Sequence, residues 1–233
     1  MLRYRLTTPV LAAGLALSIT PGLAGKPKAF NEVNEGYHQV VSTADGSSSL
    51  FGLWVNDKEN QVLAELPRGW ERKKFFIAVT PAAGVTFSGL QGQDRYVYLR
   101  RYGDRLAIIE PEISVRADEK TAKHSVNTVF TDSVLIDVPI VATGPSGQPV
   151  IDLDELLVAN ASKIAGSVGS GANKRLVSIK TAKAFPKNIE VAFEMPTRSG
   201  SLKTIHYSIS EVPERGDYKP RVADERVGYF TTS

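Results

Sequence analysis

Cysteine is absent from this sequence. No disulfide framework, thiolate zinc site or cysteine nucleophile is available, so packing has to hold the fold. Histidine is scarce: His38, His124 and His206 lie far apart, and none has a histidine partner four residues on. A His-Glu-x-x-His zinc hydrolase needs one helix face that sets two imidazoles beside a glutamate, and no segment supplies it. Neither Gly-x-Ser-x-Gly nor Ser-x-x-Lys occurs, which removes two local signatures of serine nucleophiles. A zinc site from three distant histidines, or a carboxylate pair for glycoside hydrolysis, would be set by the fold and not by sequence spacing.

Charge of one sign is lacking as well. The formal net charge is +3, and it falls to +1 once Arg3 and Arg5 are set aside. Basic residues are scattered apart from Arg72-Lys73-Lys74 and Arg100-Arg101. The electrostatic footprint of a nucleic-acid partner is therefore missing. Long hydrophobic runs are also missing. The longest, Val10 to Ile19, follows Arg3 and Arg5 and precedes small residues at Gly22 and Ala24, the pattern of a secretory signal cleaved after Ala24. A spanning helix needs about 20 apolar residues, so no stable membrane span is expected. An exported chain without disulfides fits a periplasmic or secreted bacterial protein.

What is present is a set of short apolar runs divided by turn residues. The chain is 233 residues long with 42% hydrophobic and 23% charged residues, enough to bury a core. Residues 1–24 read as the signal, Gly25 to Gly36 as a polar linker, and 37–233 as one domain. The expected fold class is mostly β (α+β), with antiparallel sheets built of hairpins and one or two short helices.

Leu50 to Val55 and Gln61 to Leu66 flank a polar five-residue loop and read as a hairpin. Asp94 to Arg101 pairs with Arg105 to Glu110 across Tyr102-Gly103-Asp104, and Ser133 to Thr143 pairs with Val150-Ile151. Ile189, Val191, Phe193 and Met195 alternate with Glu190, Ala192 and Glu194, and Ile205, Tyr207 and Ile209 alternate with His206, Ser208 and Ser210. Each pattern predicts a strand with one buried and one wet face.

Asp152 with Glu155, before Leu156-Leu157, has capping-box spacing and predicts a helix start. The glycine-rich stretch from Ser162 to Asn173 lacks the Gly-Lys-Ser/Thr close of a phosphate-binding loop and leads into Leu176 to Ile179, which reads as a strand. It is expected to be a mobile surface loop.

Trp54, Trp70, Tyr96, Tyr98 and Tyr102 offer either cross-strand packing or a surface that stacks on sugars or docks a protein. Tyr96, Tyr98 and Tyr102 are the candidate aromatic surface. Near the carboxyl end, Asp224 is spaced to pair with Arg221 or Arg226, while Tyr229 and Phe230 offer apolar anchors, which marks these five residues as a candidate domain junction.

The closing stretch Ile205-His206-Tyr207-Ser208-Ile209-Ser210-Glu211-Val212-Pro213, then Pro220-Arg221 and Asp224-Glu225-Arg226-Val227-Gly228-Tyr229-Phe230, resembles the N-terminal region of bacterial secreted metzincin-like zinc-dependent metalloproteases. In that family a β-rich region of unknown function precedes the catalytic domain and ends in a similar signature. Leu50-Phe51-Gly52-Leu53-Trp54-Val55, Arg100-Arg101-Tyr102-Gly103-Asp104, Phe130-Thr131-Asp132-Ser133 and Lys183-Ala184-Phe185-Pro186 are similar to the same region, so the likeness runs from about Gly36 to Phe230.

The resemblance implies a non-catalytic domain that assists folding, inhibition or substrate docking of a catalytic metalloprotease domain, its partner in cis if the chain is a fragment. The zinc belongs to that catalytic domain, and the family's His-Glu-x-x-His motif has no counterpart in this sequence. No catalytic residue, metal ligand or cofactor is carried over to this chain, and no activity is expected from it alone. The alternative is an exported β-rich module that binds glycan or protein without a protease partner.

Overall fold

The computed structural model describes residues 27–41, 43–115, 117, 120–214, 216–217 and 219. The expected signal segment lies outside them. Turn residues and alternating apolar side chains divide the described chain into strands: β1 Lys28–Ala29, β2 His38–Gln39, β3 Gly52–Asn56, β4 Gln61–Glu65, β5 Lys74–Ala83 and β6 Asp94–Tyr102. There follow β7 Arg105–Glu110, β8 Ser133–Thr143, β9 Pro149–Asp152, β10 Ser178–Ala184, β11 Asn188–Pro196 and β12 Leu202–Glu211. A helix α1, Lys120–Val129, joins β7 to β8, and a wide helical turn, Glu155–Ala159, followed by α2, Ala161–Ile164, comes after β9.

All twelve strands lie in one curled half-barrel sheet, ordered β10-β11-β12-β5-β6-β7-β8-β9-β4-β3-β2, with β1 beside β8. Every pairing is antiparallel except that of β1 with β8. The mostly β expectation holds, as do the hairpins β3–β4, β6–β7, β8–β9 and β11–β12. In β6–β7 the register Tyr102↔Arg105 leaves two residues for the turn, and Gly103 at φ 62° supplies the left-handed backbone it needs.

The concave side carries the alternating residues read from sequence. Ile189, Val191, Phe193, Met195, Ile205, Tyr207 and Ile209 join one core cluster with Phe75, Ile77, Val79, Leu106, Ile108 and Leu53. Into this trough folds the helical segment after β9, which places Leu156, Leu157, Val158 and Ile164 against the sheet. The Tyr207 hydroxyl donates to the Leu157 carbonyl at 2.8 Å, and Arg95 donates to Glu110 at 3.0 Å and to the Lys163 carbonyl at 2.7 Å, so sheet and plug are tied at both ends.

Three expectations are corrected. The glycine-rich stretch is packed, not a mobile surface loop: Gly169 is buried, Arg198 N–H donates to the Ser170 carbonyl at 3.0 Å, and Asn173 N–H donates to the Pro196 carbonyl at 3.1 Å. The strand expected from Leu176 begins at Ser178, because Lys174–Leu176 forms a tight turn capped by the Asn173 side chain. Within the stretch read as a linker, Lys28–Ala29 pairs with Ala142 and Thr143, and Phe30 stacks on Trp54 with centroids 4.5 Å apart. Phe30, Val33 and Tyr37 thus cover the convex side of β3, β4, β8 and β9 over Trp54, Leu63, Ala142 and Val150.

Two ends of the sheet approach each other. Leu50 N–H donates to the Phe185 carbonyl at 2.8 Å, and Ile179 N–H donates to Asn60 Oδ1 at 3.3 Å, which tacks β10 to the β3 side at two points.

Candidate functional site: an outer tyrosine stripe and an inner acidic box

Alternate residues of β6 share one face, so Tyr96, Tyr98, Arg100 and Tyr102 form a stripe on the convex side at a spacing of about 7 Å. Tyr96 and Tyr98 are half-buried and Tyr102 is 52% exposed. Lys74 lies over the Tyr96 ring at 5.5 Å and Arg100 over the Tyr98 ring at 5.7 Å. The Tyr98 hydroxyl donates to Asp132 Oδ2 at 2.7 Å, and burial with that bond raises its pKa above the ordinary phenol value. Asp132 also accepts the Glu112 N–H at 3.0 Å; this bond and the tyrosine's hold its carboxyl below the usual range. Tyr96, Tyr98 and Tyr102 share this face, whereas Trp54 is buried under Phe30 and Trp70, also buried, borders the stripe. The flanking bays differ in lining: Arg68, Arg72, Lys74, Tyr96 and Glu214 line one of about 840 Å³, and Tyr98, Arg100, Arg101 and Trp70 line another of about 640 Å³.

The candidate junction residues Arg221, Asp224, Arg226, Tyr229 and Phe230 lie outside the described residues. The histidines sit on separate elements, His38 on β2, His124 on α1 and His206 on β12. Among the described residues no group of three His, Asp or Glu side chains is arranged to hold a metal ion. His206 Nε2 stands 2.8 Å from Glu190 Oε2, a charge contact without hydrogen-bond alignment, while Glu190 Oε1 accepts from Ser208 Oγ at 2.7 Å and from Asn188. Glutamate sits between serine and histidine here, so the histidine is not placed to take the serine's proton.

The acidic cluster after β9 forms a box that sequence reading saw only as a cap. Asp152 Oδ1 accepts the N–H groups of Asp154 at 2.7 Å and Glu155 at 3.2 Å, so the aspartate does cap the helical start. Glu155 does not reach back; with Asp152 it binds Lys174 Nζ, at 3.1 and 2.9 Å. Asp154 is fully buried, accepts Val62 N–H at 2.9 Å through Oδ2, and leaves Oδ1 without a partner. Burial, with the neighbouring Asp152 charge, pushes its pKa up to about 8. Burial lowers the Lys174 pKa, but the bonds and charges of Asp152 and Glu155 outweigh it, so Lys174 ends above its ordinary value. Tyr37, which donates to Gln61 at 2.7 Å, is pushed up to about 12 by burial and by Asp152, Asp154 and Glu59. The remaining buried carboxylate, Glu65, accepts from Ser146 N–H, Ser146 Oγ and Gln148 N–H and fastens the β8–β9 turn.

A family model described as Domain of unknown function (DUF5117) matches residues 89–233, more than half of the chain. The chain belongs to that family. No curated protein and no solved structure matches it. The DUF5117 stretch begins just ahead of β6, so it contains the tyrosine stripe, the acidic box and the plug. It excludes β4 and β5, although β4 pairs with β9 and β5 lies hydrogen-bonded between β12 and β6. The folded unit is therefore larger than the stretch that marks the family.

Proposed function

We propose that this DUF5117 chain is a non-catalytic docking domain, the N-terminal part of a secreted zinc-dependent metalloprotease, which assists the folding, inhibition or substrate docking of the catalytic part. The observation that carries the docking role is the contrast between the two sides of the sheet. The trough is filled by Leu156, Leu157, Val158 and Ile164, and the ionisable groups near it are tied into caps and ion pairs that hold the plug. The outer face instead presents Tyr96, Tyr98 and Tyr102 beside Arg100, residue types that concentrate in protein interfaces, with Lys74 over the Tyr96 ring. The link to a metalloprotease rests on the resemblance of Gly36 to Phe230 to the region that precedes such catalytic domains. The same outer face also suits the second reading, an exported module that binds glycan or protein with no protease partner.

The two readings part in the coding sequence beyond Ser233, where a His-Glu-x-x-His reading frame supports the first. A biochemical test is to express residues 25–233 and measure bound metal and casein hydrolysis. Neither stoichiometric, tightly held zinc nor turnover is expected, and either one would sink the non-catalytic reading.

A further inference from the structure

The convex side of the sheet has two halves that are treated differently. Over β3, β4, β8 and β9 the chain's own N-terminal segment, Phe30, Val33 and Tyr37, covers the apolar side chains. Over β5 to β8 no such layer exists among the described residues, yet the surface is built as if for one. Lys74, Tyr98, Ile109 and Val134 stand in direct cross-strand register. Within this row Ile109 is buried, while Val134 is 57% exposed and nearby Phe130 44%. The helix α1 that leads into Phe130 exposes its described side chains, with Val126 alone half-buried. A ten-residue helix is marginal without packing, so α1 lacks a contact that would hold it.

Within this face the carboxylates are engaged and two cations are not: Asp132 is held by Tyr98 and the Glu112 N–H, Asp137 by Arg105, Glu112 by Ser114 and Asp94 by Gln91, while Glu71 and Glu214 stand at its margins. Lys74 and Arg100 have no carboxylate within ion-pair distance among the described residues. Arg100 leans instead on the hydroxyls of Tyr98 and Tyr102, each at 3.4 Å, which presents its guanidinium with little freedom left to lose on binding.

Resting on the docking reading above, we propose that the β5–β8 face with α1 is the docking surface, and that it takes an acidic polypeptide, carboxylates around an apolar centre. Carboxylates answer the two unpaired cations, Lys74 and Arg100, and the apolar centre answers Val134 and Phe130, aliphatic and aromatic edges that give a sugar hydroxyl nothing to bond.

The test uses the purified protein and fluorescein-labelled probes: a random glutamate–tyrosine copolymer, polyglutamate and polygalacturonate, titrated by anisotropy over a salt series. The copolymer is expected to bind, more tightly than polyglutamate and progressively more weakly as salt rises. Lys74→Glu with Arg100→Glu should weaken it at least tenfold. Val134→Ser should weaken the copolymer without changing polyglutamate. Lys183→Glu with Lys187→Glu, the same charge change on the β10–β11 hairpin, should leave binding near that of the unmodified chain. Equal losses in both double variants, or no binding of either polypeptide, would overturn the surface. Polygalacturonate binding as tightly as the copolymer would overturn the polypeptide assignment in favour of an acidic glycan. None of these results bears on zinc or casein turnover, which judge the non-catalytic reading separately.

Discussion

Asp154 is the residue whose environment departs furthest from that of an ordinary surface carboxylate. A carboxyl with no exposure, one backbone donor on Oδ2 and a neighbouring Asp152 charge keeps its proton in the folded state up to about pH 8, whereas the unfolded chain releases it near the ordinary 3.8. Between those values the folded state binds more protons than the unfolded one, so this group's contribution to stability is full below pH 3.8 and is lost as pH rises towards 8. The proton also accounts for Oδ1: a protonated Asp154 can donate to the adjacent Asp152. Asp154→Asn keeps an acceptor for Val62 N–H and a donor for Asp152 without an ionisation to suppress. The variant is expected to melt above the unmodified chain at pH 8.5 and to show a flatter dependence of Tm on pH from 5 to 8.5. Parallel curves for the two proteins would show that Asp154 does not titrate in this range.

At the scale of elements, the glycine-rich plug makes the sharpest prediction. A Cβ on Gly169 would sit 2.6 Å from the Ala161 carbonyl oxygen, a backbone atom that cannot swing aside, whereas one on Gly92 would meet nothing closer than 3.4 Å. Gly169→Ala should cost about 1–3 kcal/mol, as overpacking of a tight contact does. Gly92→Ala should shift the urea midpoint little, with m unchanged for both. Equal midpoints would mean that the plug yields freely.

The same segment marks what sequence could and could not reveal. Hairpins were legible because period-two alternation and turn residues are local signals, and the buried faces of β11 and β12 followed directly. Glycine content reports backbone freedom and not neighbours, so the close approach of Gly169 to Ala161 left no local trace. Strand β5 drew no expectation because Phe75, Phe76, Ile77, Ala78 and Val79 are apolar on both faces, which hides the alternation. The outer stripe was legible from Tyr96, Tyr98 and Tyr102, since one strand sets their common face. The acidic box was half legible: the Asp152 cap is a local pattern, but Lys174, Val62 and Tyr37 reach it from distant parts of the chain.

On the scale of the whole molecule, one sheet binds the DUF5117 stretch to the strands ahead of it. Residues 89–233 expressed alone would leave β12 and β6 with unpaired edges where β5 belongs, and β9 without β4. Such a fragment is expected to lack a cooperative thermal transition and dispersed amide signals, both of which residues 27–233 should show; a cooperative melt of the fragment would overturn the single-unit view. The place of β5 between β6 and β12 also sets a timetable. A chain made from its amino end presents β5 and β6 early, but the partner for the other edge of β5 is the last strand described, ending at Glu211. Contacts this distant in sequence form slowly and leave strand edges open in the interim. Until the polypeptide has left the ribosome as far as Glu211, the centre of this sheet has to wait half-made, open to interception by another strand or by a chaperone.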